Sequence, residues 1–133
     1  MRLVENLMNP VISCREASNM PLCALFVNSG KQIAVGCMDC NIYVYATTGK
    51  FLTSLAAHSA SVCTMANFGD FFASGGDNGC CSLVLWDSKQ LKKRNKQKLH
   101  GAALTCIVDL MDGFHLATAG YDKKIVIYNY RKG

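Results

Sequence analysis

Short apolar runs recur along this chain at a nearly constant interval, separated by residues that favour turns. Three of these runs end in an aromatic residue: Ile42–Tyr45, Leu83–Trp86 and Ile125–Tyr128. Their ends, at positions 45, 86 and 128, are 41 and 42 residues apart. Runs of this length that are rich in β-branched and aromatic residues predict β-strands. A fixed period of this size indicates an internal repeat.

Two further apolar runs precede each aromatic strand, with turn-forming residues between them. The nearer run contains mainly small residues and occurs at Ile33–Gly36, Phe72–Gly75 and Leu116–Gly120. The earlier run is more strongly apolar and occurs at Leu22–Phe26, Val62–Phe68 and Leu104–Leu110. These runs alternate poorly between apolar and polar positions, which predicts strands that are buried on both faces of a sheet.

A fourth strand is predicted at Lys50–Leu55 in the first copy and at Lys96–Leu99 in the second. The repeats are expected to span residues 18–57, 58–99 and 100–133, after an N-terminal segment at 1–17. The chain is therefore predicted to be all-β.

Polar residues at fixed places in the repeats resemble those of the WD-repeat family. The second copy has His58 four residues before its first strand, followed by Ala73–Asp77 and Leu85–Asp87. The third copy has His100, Thr118 and Asp122 at matching places. The resemblance extends over residues 18–130 and implies three four-stranded antiparallel propeller blades arranged about a channel.

The departures from the family pattern indicate a divergent member. Tyr45 and Tyr128 stand where the signature tryptophan is expected, and the first copy has Ser18 and Val35 at the His and Ser positions. Closed propellers typically carry about four to eight blades, so three blades predict an incomplete ring. The family's ring-closing arrangement implies that residues 11–13 supply the last strand of the third blade. A fragment, an open stack, self-association and blades from another chain all stay open.

His58, Ser74 and Asp77 have the residue types of a nucleophilic triad. The resemblance implies a structural role for them instead, as a polar clasp in which the Trp86 indole donates to Ser74. His100, Thr118 and Asp122 repeat the set, and a catalytic site has no reason to recur at the repeat period. We therefore predict a protein that is not an enzyme and needs no cofactor.

Four cysteines raise the hypothesis of a zinc site. Cys37 and Cys40 have a two-residue gap, and Cys80 and Cys81 occupy the equivalent turn of the next repeat. Four thiolates suit zinc, but the second pair lacks the usual gap. Buried free cysteine commonly acts as a small apolar residue, so no metal ligand is assigned. Cys23 and Cys63, at equivalent strand positions, are expected in the core.

The net charge of +5 is concentrated in one segment, residues 89–98. We expect an exposed loop there, which is a candidate nuclear-import signal or nucleic-acid contact. No aromatic residue stands among these basic residues to stack on nucleic-acid bases, so a nucleic-acid partner is not the preferred interpretation. The basic residues concerned are Lys92, Lys93, Arg94, Lys96 and Lys98.

The cellular compartment is predicted from the lack of a recognisable secretory signal or membrane span. The first residues have an acidic residue and Pro10 where a secretory signal would have an apolar run. No segment reaches the length of a membrane span. Eight cysteines without a signal favour reduced thiols in the cytoplasm or nucleus.

The predicted function is protein–protein recognition by a rigid scaffold, with other proteins of a multi-subunit complex as partners. One alternative is a subunit of a nuclear or RNA-processing assembly that contacts nucleic acid through residues 89–98. Another is a ubiquitin-ligase substrate adaptor, because Tyr128–Arg131 resembles a degenerate form of an element found in some family members. The candidate partner-binding face comprises Met38, Ser59, Ser61, Tyr121, Lys123 and Lys124.

Overall fold

Three antiparallel sheets make up the computed structural model, which describes residues 20–77 and 82–132. The first sheet contains β1 (Pro21–Val27), β2 (Gln32–Cys37), β3 (Asn41–Ala46) and β4 (Phe51–Ala56). The second contains β5 (Val62–Asn67), β6 (Phe71–Gly76), β7 (Ser82–Asp87) and β8 (Lys93–Lys98). The third contains β9 (Leu104–Asp109), β10 (His115–Gly120) and β11 (Ile125–Asn129). No helix in the described part of the chain is long and apolar enough to cross a membrane.

Each sheet is a meander in which neighbouring strands follow one another in sequence. The predicted all-β fold of propeller-type blades is therefore confirmed, and the three sheets do not close a ring within the described residues. The third sheet has three strands among the described residues, and residues 11–13 lie outside them. The repeat boundaries at 18–57, 58–99 and 100–133 stay a prediction.

The expectation of a loop at residues 89–98 is wrong for most of that segment. Lys93, Arg94, Lys96 and Lys98 belong to strand β8, which pairs with β7. Lys92 precedes the strand, and its carbonyl accepts the N–H of Asp87 at 2.9 Å. The strand forms despite its polar sequence because β7 supplies backbone partners along one side, with one register shift between Leu85 and Trp86.

Apolar side chains between the sheets form two cores. One core joins the first and second sheets and includes Val44, Val62, Phe72 and Trp86. The other joins the second and third sheets and includes Ala73, Leu83, Leu104, Ile107 and Leu116. The second sheet is thus packed on both faces, which accounts for the near-complete burial of β6 and β7.

Two glycines explain why the second strand of each repeat contains small residues. A Cβ on Gly36 would lie 2.7 Å from Val62 Cγ1, and one on Gly75 would lie 3.1 Å from Leu104 Cβ. Val62 and Leu104 are the first residues of β5 and β9. The same close approach therefore recurs at both sheet–sheet contacts, and an added methyl group would separate the sheets.

Burial on both faces was expected for all the apolar strands, and it fails at the ends of the stack. In β1 the side chain of Phe26 is 59% exposed, and in β11 those of Ile125 and Ile127 are 79% and 65% exposed. The first and third sheets each have one neighbouring sheet among the described residues. The third sheet is therefore exposed along β11, whereas in the first sheet β3 stays buried on both faces and the exposed side chains belong to strands such as β1 and β4.

Candidate functional site

A buried hydrogen-bonded group joins β6, β7 and the segment before β5. Ser74 is fully buried, and its Oγ accepts the indole N–H of Trp86 at 2.9 Å. The same oxygen lies 2.8 Å from Nε2 of His58. A serine hydroxyl has one proton and two lone pairs, so the tautomer of the imidazole decides which atom donates in this second contact.

Burial keeps His58 in its neutral form. Desolvation lowers the pKa of His58 from 6.5 to about 4, and the positive charges of Lys96 and Lys93 act in the same direction. A neutral imidazole that is hydrogen-bonded to Ser74 is consistent with a permanent structural contact. Asp77, the third residue of the predicted clasp, follows β6, and its backbone N–H donates to the carbonyl of Ser61 at 2.9 Å.

The third sheet carries a corresponding group. Nδ1 of His100 lies 2.9 Å from Asp122 Oδ1, and its Nε2 lies 2.7 Å from Thr118 Oγ1. Asp122 also accepts the backbone N–H of Gly101 at 3.0 Å. The hydrogen bond from His100, followed by that from Gly101, lowers the pKa of Asp122 from 3.8 to about 2. The carboxylate thus stays ionised while it ties the inter-sheet segment to the turn after β10.

Tyrosine hydroxyls of the other two sheets form hydrogen bonds with different partners. Tyr128 occupies the position of Trp86, but its hydroxyl accepts from Asn95 Nδ2 on β8 at 2.9 Å, across the gap between two sheets. In the first sheet the hydroxyl of Tyr43, which lies two residues before the position equivalent to Trp86, donates to Asp39. Neither Tyr43 nor Asn95 is among the site residues predicted from the sequence. The signal that the sequence offers for Tyr43 is a tyrosine four residues after Asp39, the aspartate of the turn.

The residues that follow the second strands make the same contact in all three sheets. Each donates its backbone N–H to the carbonyl of the residue just before the first strand of its sheet. The pairs are Met38 N–H to Met20 O, Asp77 N–H to Ser61 O and Tyr121 N–H to Ala103 O, each at 2.9 Å. This repetition places the three donors at equivalent positions of their sheets, beside the segments that precede β1, β5 and β9.

The predicted partner-binding residues belong to these turns and loops. Met38 and Tyr121 are 44% and 72% exposed, and Ser59, Lys123 and Lys124 are also exposed. Ser61 is half-buried, and its hydroxyl lies 3.4 Å from the carbonyl of Met38. Met38 and Ser61 are thereby brought together across the first two sheets, while Tyr121 and the lysines belong to the third.

The cysteines do not form a metal site among the described residues. Cys37 is fully buried and Cys40 is half-buried, whereas Cys80 and Cys81 lie outside the described residues. No group of three or more His, Cys, Asp or Glu side chains suited to a metal occurs in residues 20–77 and 82–132. Burial raises the pKa of the Cys23 thiol to about 11, so it is held protonated and unreactive.

Comparison with known proteins identifies the family. The family model described as "WD domain, G-beta repeat" matches residues 49–87 and 92–129, which is more than half of the chain. The search of curated proteins found no match.

Two solved structures show the same fold at low sequence identity. The structure of U3-55K superposes with a TM-score of 0.77 at 18% identity, over 89% of this chain and 38% of that one. The crystal structure of RRP9 WD40 repeats gives a TM-score of 0.76 at 18% identity, with the same coverage of both chains. The chain thus spans 38% of the length of these structures. Together with the repeated clasps, the matches show that this chain belongs to the WD-repeat family.

Proposed function

We propose that the protein is a non-catalytic scaffold that recognises other proteins through the edge bearing Met38 and Tyr121. The backbone hydrogen bond that is repeated in all three sheets, and that places Met38 and Tyr121 at equivalent positions, carries the proposal. These two exposed side chains are thereby held on a rigid support, which suits a protein that binds partners without catalysing a reaction. Methionine and tyrosine suit such contacts because they offer large apolar area. WD-repeat propellers generally mediate protein interactions within complexes.

The burial of Ser74 supports a role without catalysis. Its Oγ is closed off from solvent and is engaged by both Trp86 and His58. A nucleophile needs a free approach for the substrate carbonyl and a base that can take up its proton. A histidine whose pKa is about 4 is a weak base at neutral pH.

The test compares partners recovered with the wild-type chain and with a Met38→Ser, Tyr121→Ser variant. Tagged proteins are expressed in cells, purified in high salt and analysed by quantitative mass spectrometry. A matched control, Leu52→Ser, Val108→Ser, alters two exposed apolar residues away from this edge. We expect a defined set of proteins with wild type and control, reduced at least about tenfold with the variant. An unchanged set would contradict the proposal.

A nuclear or RNA-processing assembly is the second candidate, since four of the six residues of β8 are cationic. A salt-dependent gel shift with RNA that disappears when these residues are neutralised would favour it. The adaptor alternative depends on Arg131. Its guanidinium donates to Gly113 and lies 5.7 Å from the ring of Tyr130, so it is held against its own sheet.

A further inference from the structure

Strand β8 differs in charge from the other two outer strands. It is the last strand of its sheet, with β7 as its neighbour, in the part of the chain that the structure describes. The corresponding strand β4 has the sequence FLTSLA, and the outer strand β11 of the third sheet has the sequence IVIYN. Neither contains a charged residue, whereas β8 reads KRNKQK. The position in the sheet therefore does not dictate the charge.

The backbone of β8 has one side directed away from its sheet. Along an antiparallel strand, successive residues point their N–H and C=O groups alternately toward and away from the neighbouring strand. Lys92 accepts from Asp87 of β7, whereas the N–H of Lys96, four positions later, donates to the side chain of Asn95 at 2.8 Å, a local contact that a pairing chain would displace. Among the described residues no other strand pairs with the outer side of β8.

We propose that β8 binds an extended acidic segment of a partner protein by strand addition. The partner's backbone would pair with the outer side of β8, and its carboxylates would lie beside the lysines. Exposed main-chain groups give affinity in this mode, while side chains set the choice of partner. The inference rests on the proposed function, because it assigns a class of peptide to a protein-binding scaffold, but it uses a different surface.

Charge complementarity selects this occupant over a second copy of the chain. Two β8 strands placed edge to edge would bring eight cations together, which is how lysine-rich edges prevent self-association. Glutamate or aspartate at alternate positions would instead meet Lys93, Lys96 and Lys98, which are all exposed. RNA would satisfy the charges, but it has no amide ladder to match the backbone of the strand, and β8 contains no aromatic residue.

A groove at the start of β8 adds a second cationic feature. The Arg94 guanidinium lies over the ring of Phe71 at 4.7 Å, and its Nη1 is 4.0 Å from the carboxylate of Asp87. The groove encloses about 340 Å³ and is also lined by Tyr130 and Arg131. Two guanidinium groups beside aromatic rings suit a carboxylate side chain, because arginine binds carboxylates in a bidentate manner.

The test uses a fluorescein-labelled eight-residue peptide that alternates glutamate with valine, followed by fluorescence anisotropy with the full chain. One control peptide carries glutamine for every glutamate. Another carries proline at two central valine positions, which removes backbone donors without changing the charge. We expect saturable binding of the first peptide and at least about tenfold weaker binding of each control. Equal binding of the proline peptide would overturn strand addition.

Protein variants locate the site. Lys93→Glu, Lys96→Glu should weaken binding of the glutamate peptide at least about tenfold. Lys31→Glu, Lys50→Glu makes the same change in charge at exposed positions of the first sheet and should bind like wild type. Far-ultraviolet circular dichroism and thermal unfolding of both variants verify that they are folded.

The same titration with an eight-nucleotide single-stranded RNA separates the two partner classes. Tighter binding of RNA than of the peptide, lost in the Lys93→Glu, Lys96→Glu variant, would overturn the inference and favour a nucleic-acid surface. Absence of binding to either probe would also overturn it. Neither result alters the partners captured through Met38 and Tyr121, so failure here is distinguishable from failure of the scaffold function.

Discussion

Ser74 shows at the residue scale how one buried hydroxyl serves two neighbours. Its Oγ accepts from Trp86 and also lies 2.8 Å from Nε2 of His58, so it is the hydrogen-bond partner of both side chains inside the core. Removal of the hydroxyl would leave the indole N–H and the imidazole Nε2 without this partner in a region closed to water. Unsatisfied buried groups of this kind account for the largest costs among conservative substitutions.

Ser74→Ala should therefore lower the free energy of unfolding by about 1–3 kcal/mol. Urea unfolding followed by the fluorescence of Trp86, the single tryptophan of the chain, measures the change. Ser54→Ala, at an exposed position of β4, is the matched control and should alter stability by less than about 0.5 kcal/mol. Equal stability of Ser74→Ala and the wild type would show that the network contributes nothing net.

The lowered pKa of His58 predicts a pH dependence of stability. The unfolded chain binds a proton at this histidine near pH 6.5, whereas the folded chain resists protonation until about pH 4. The unfolded state thus holds more protons in this window, and stability falls as the pH drops from about 6.5 to about 4. His58→Gln should remove this part of the slope in urea titrations at several pH values. His115→Gln, at a more exposed histidine, should retain it.

At the scale of elements, the contact between sheets depends on the second strand being small. Val62 approaches Gly36, and Leu104 approaches Gly75, at equivalent positions of successive sheets. The family matches at 49–87 and 92–129 each begin before an outer strand and extend through the next sheet's third strand. A sequence repeat therefore spans parts of two sheets, and the contact of Gly75 with Leu104 joins one repeat to the next.

Gly75→Ala tests this contact directly. The added Cβ would lie 2.7 Å from Thr64 Cγ2 and 3.1 Å from Leu104 Cβ, so the sheets must shift. We expect a loss of about 1–3 kcal/mol of stability from overpacking. Gly101→Ala meets nothing within 4 Å and serves as the control. A similar midpoint of thermal unfolding for both variants would refute the explanation given for the small-residue strands.

The whole molecule is a stack in which the central sheet is the most enclosed. β6 and β7 are buried nearly throughout, while β11 is exposed or half-buried along its whole length. Since each sheet contacts its immediate neighbours, resistance to local opening should decrease from the second sheet outward.

Native-state hydrogen exchange should reveal this gradient. Amides of β6 and β7 that are paired in the sheet are expected to exchange most slowly, and those of β11 most rapidly. Mass spectrometry of peptic fragments resolves the strands. Protection of β11 equal to that of β7 would contradict the gradient and would indicate that another element covers the third sheet.

The sequence by itself determined the three-fold repeat, the strands with apolar or small-residue patterns, and the positions of His58, Ser74, Trp86, His100 and Thr118. Those features are local or recur at a fixed period, so they leave a pattern that can be counted. Strand β8 was predicted only in part, at Lys96–Leu99, because its polar residues are held in an extended conformation by backbone pairing with β7.

The contacts of individual side chains were likewise decided by the tertiary structure. The hydrogen bonds of Tyr43 with Asp39 and of Asn95 with Tyr128 depend on where aromatic hydroxyls end in space. The exposure of Ile125 and Ile127 depends on which neighbours the third sheet has. Strand periodicity specifies which way a side chain points, whereas only the packed stack specifies what, if anything, it meets.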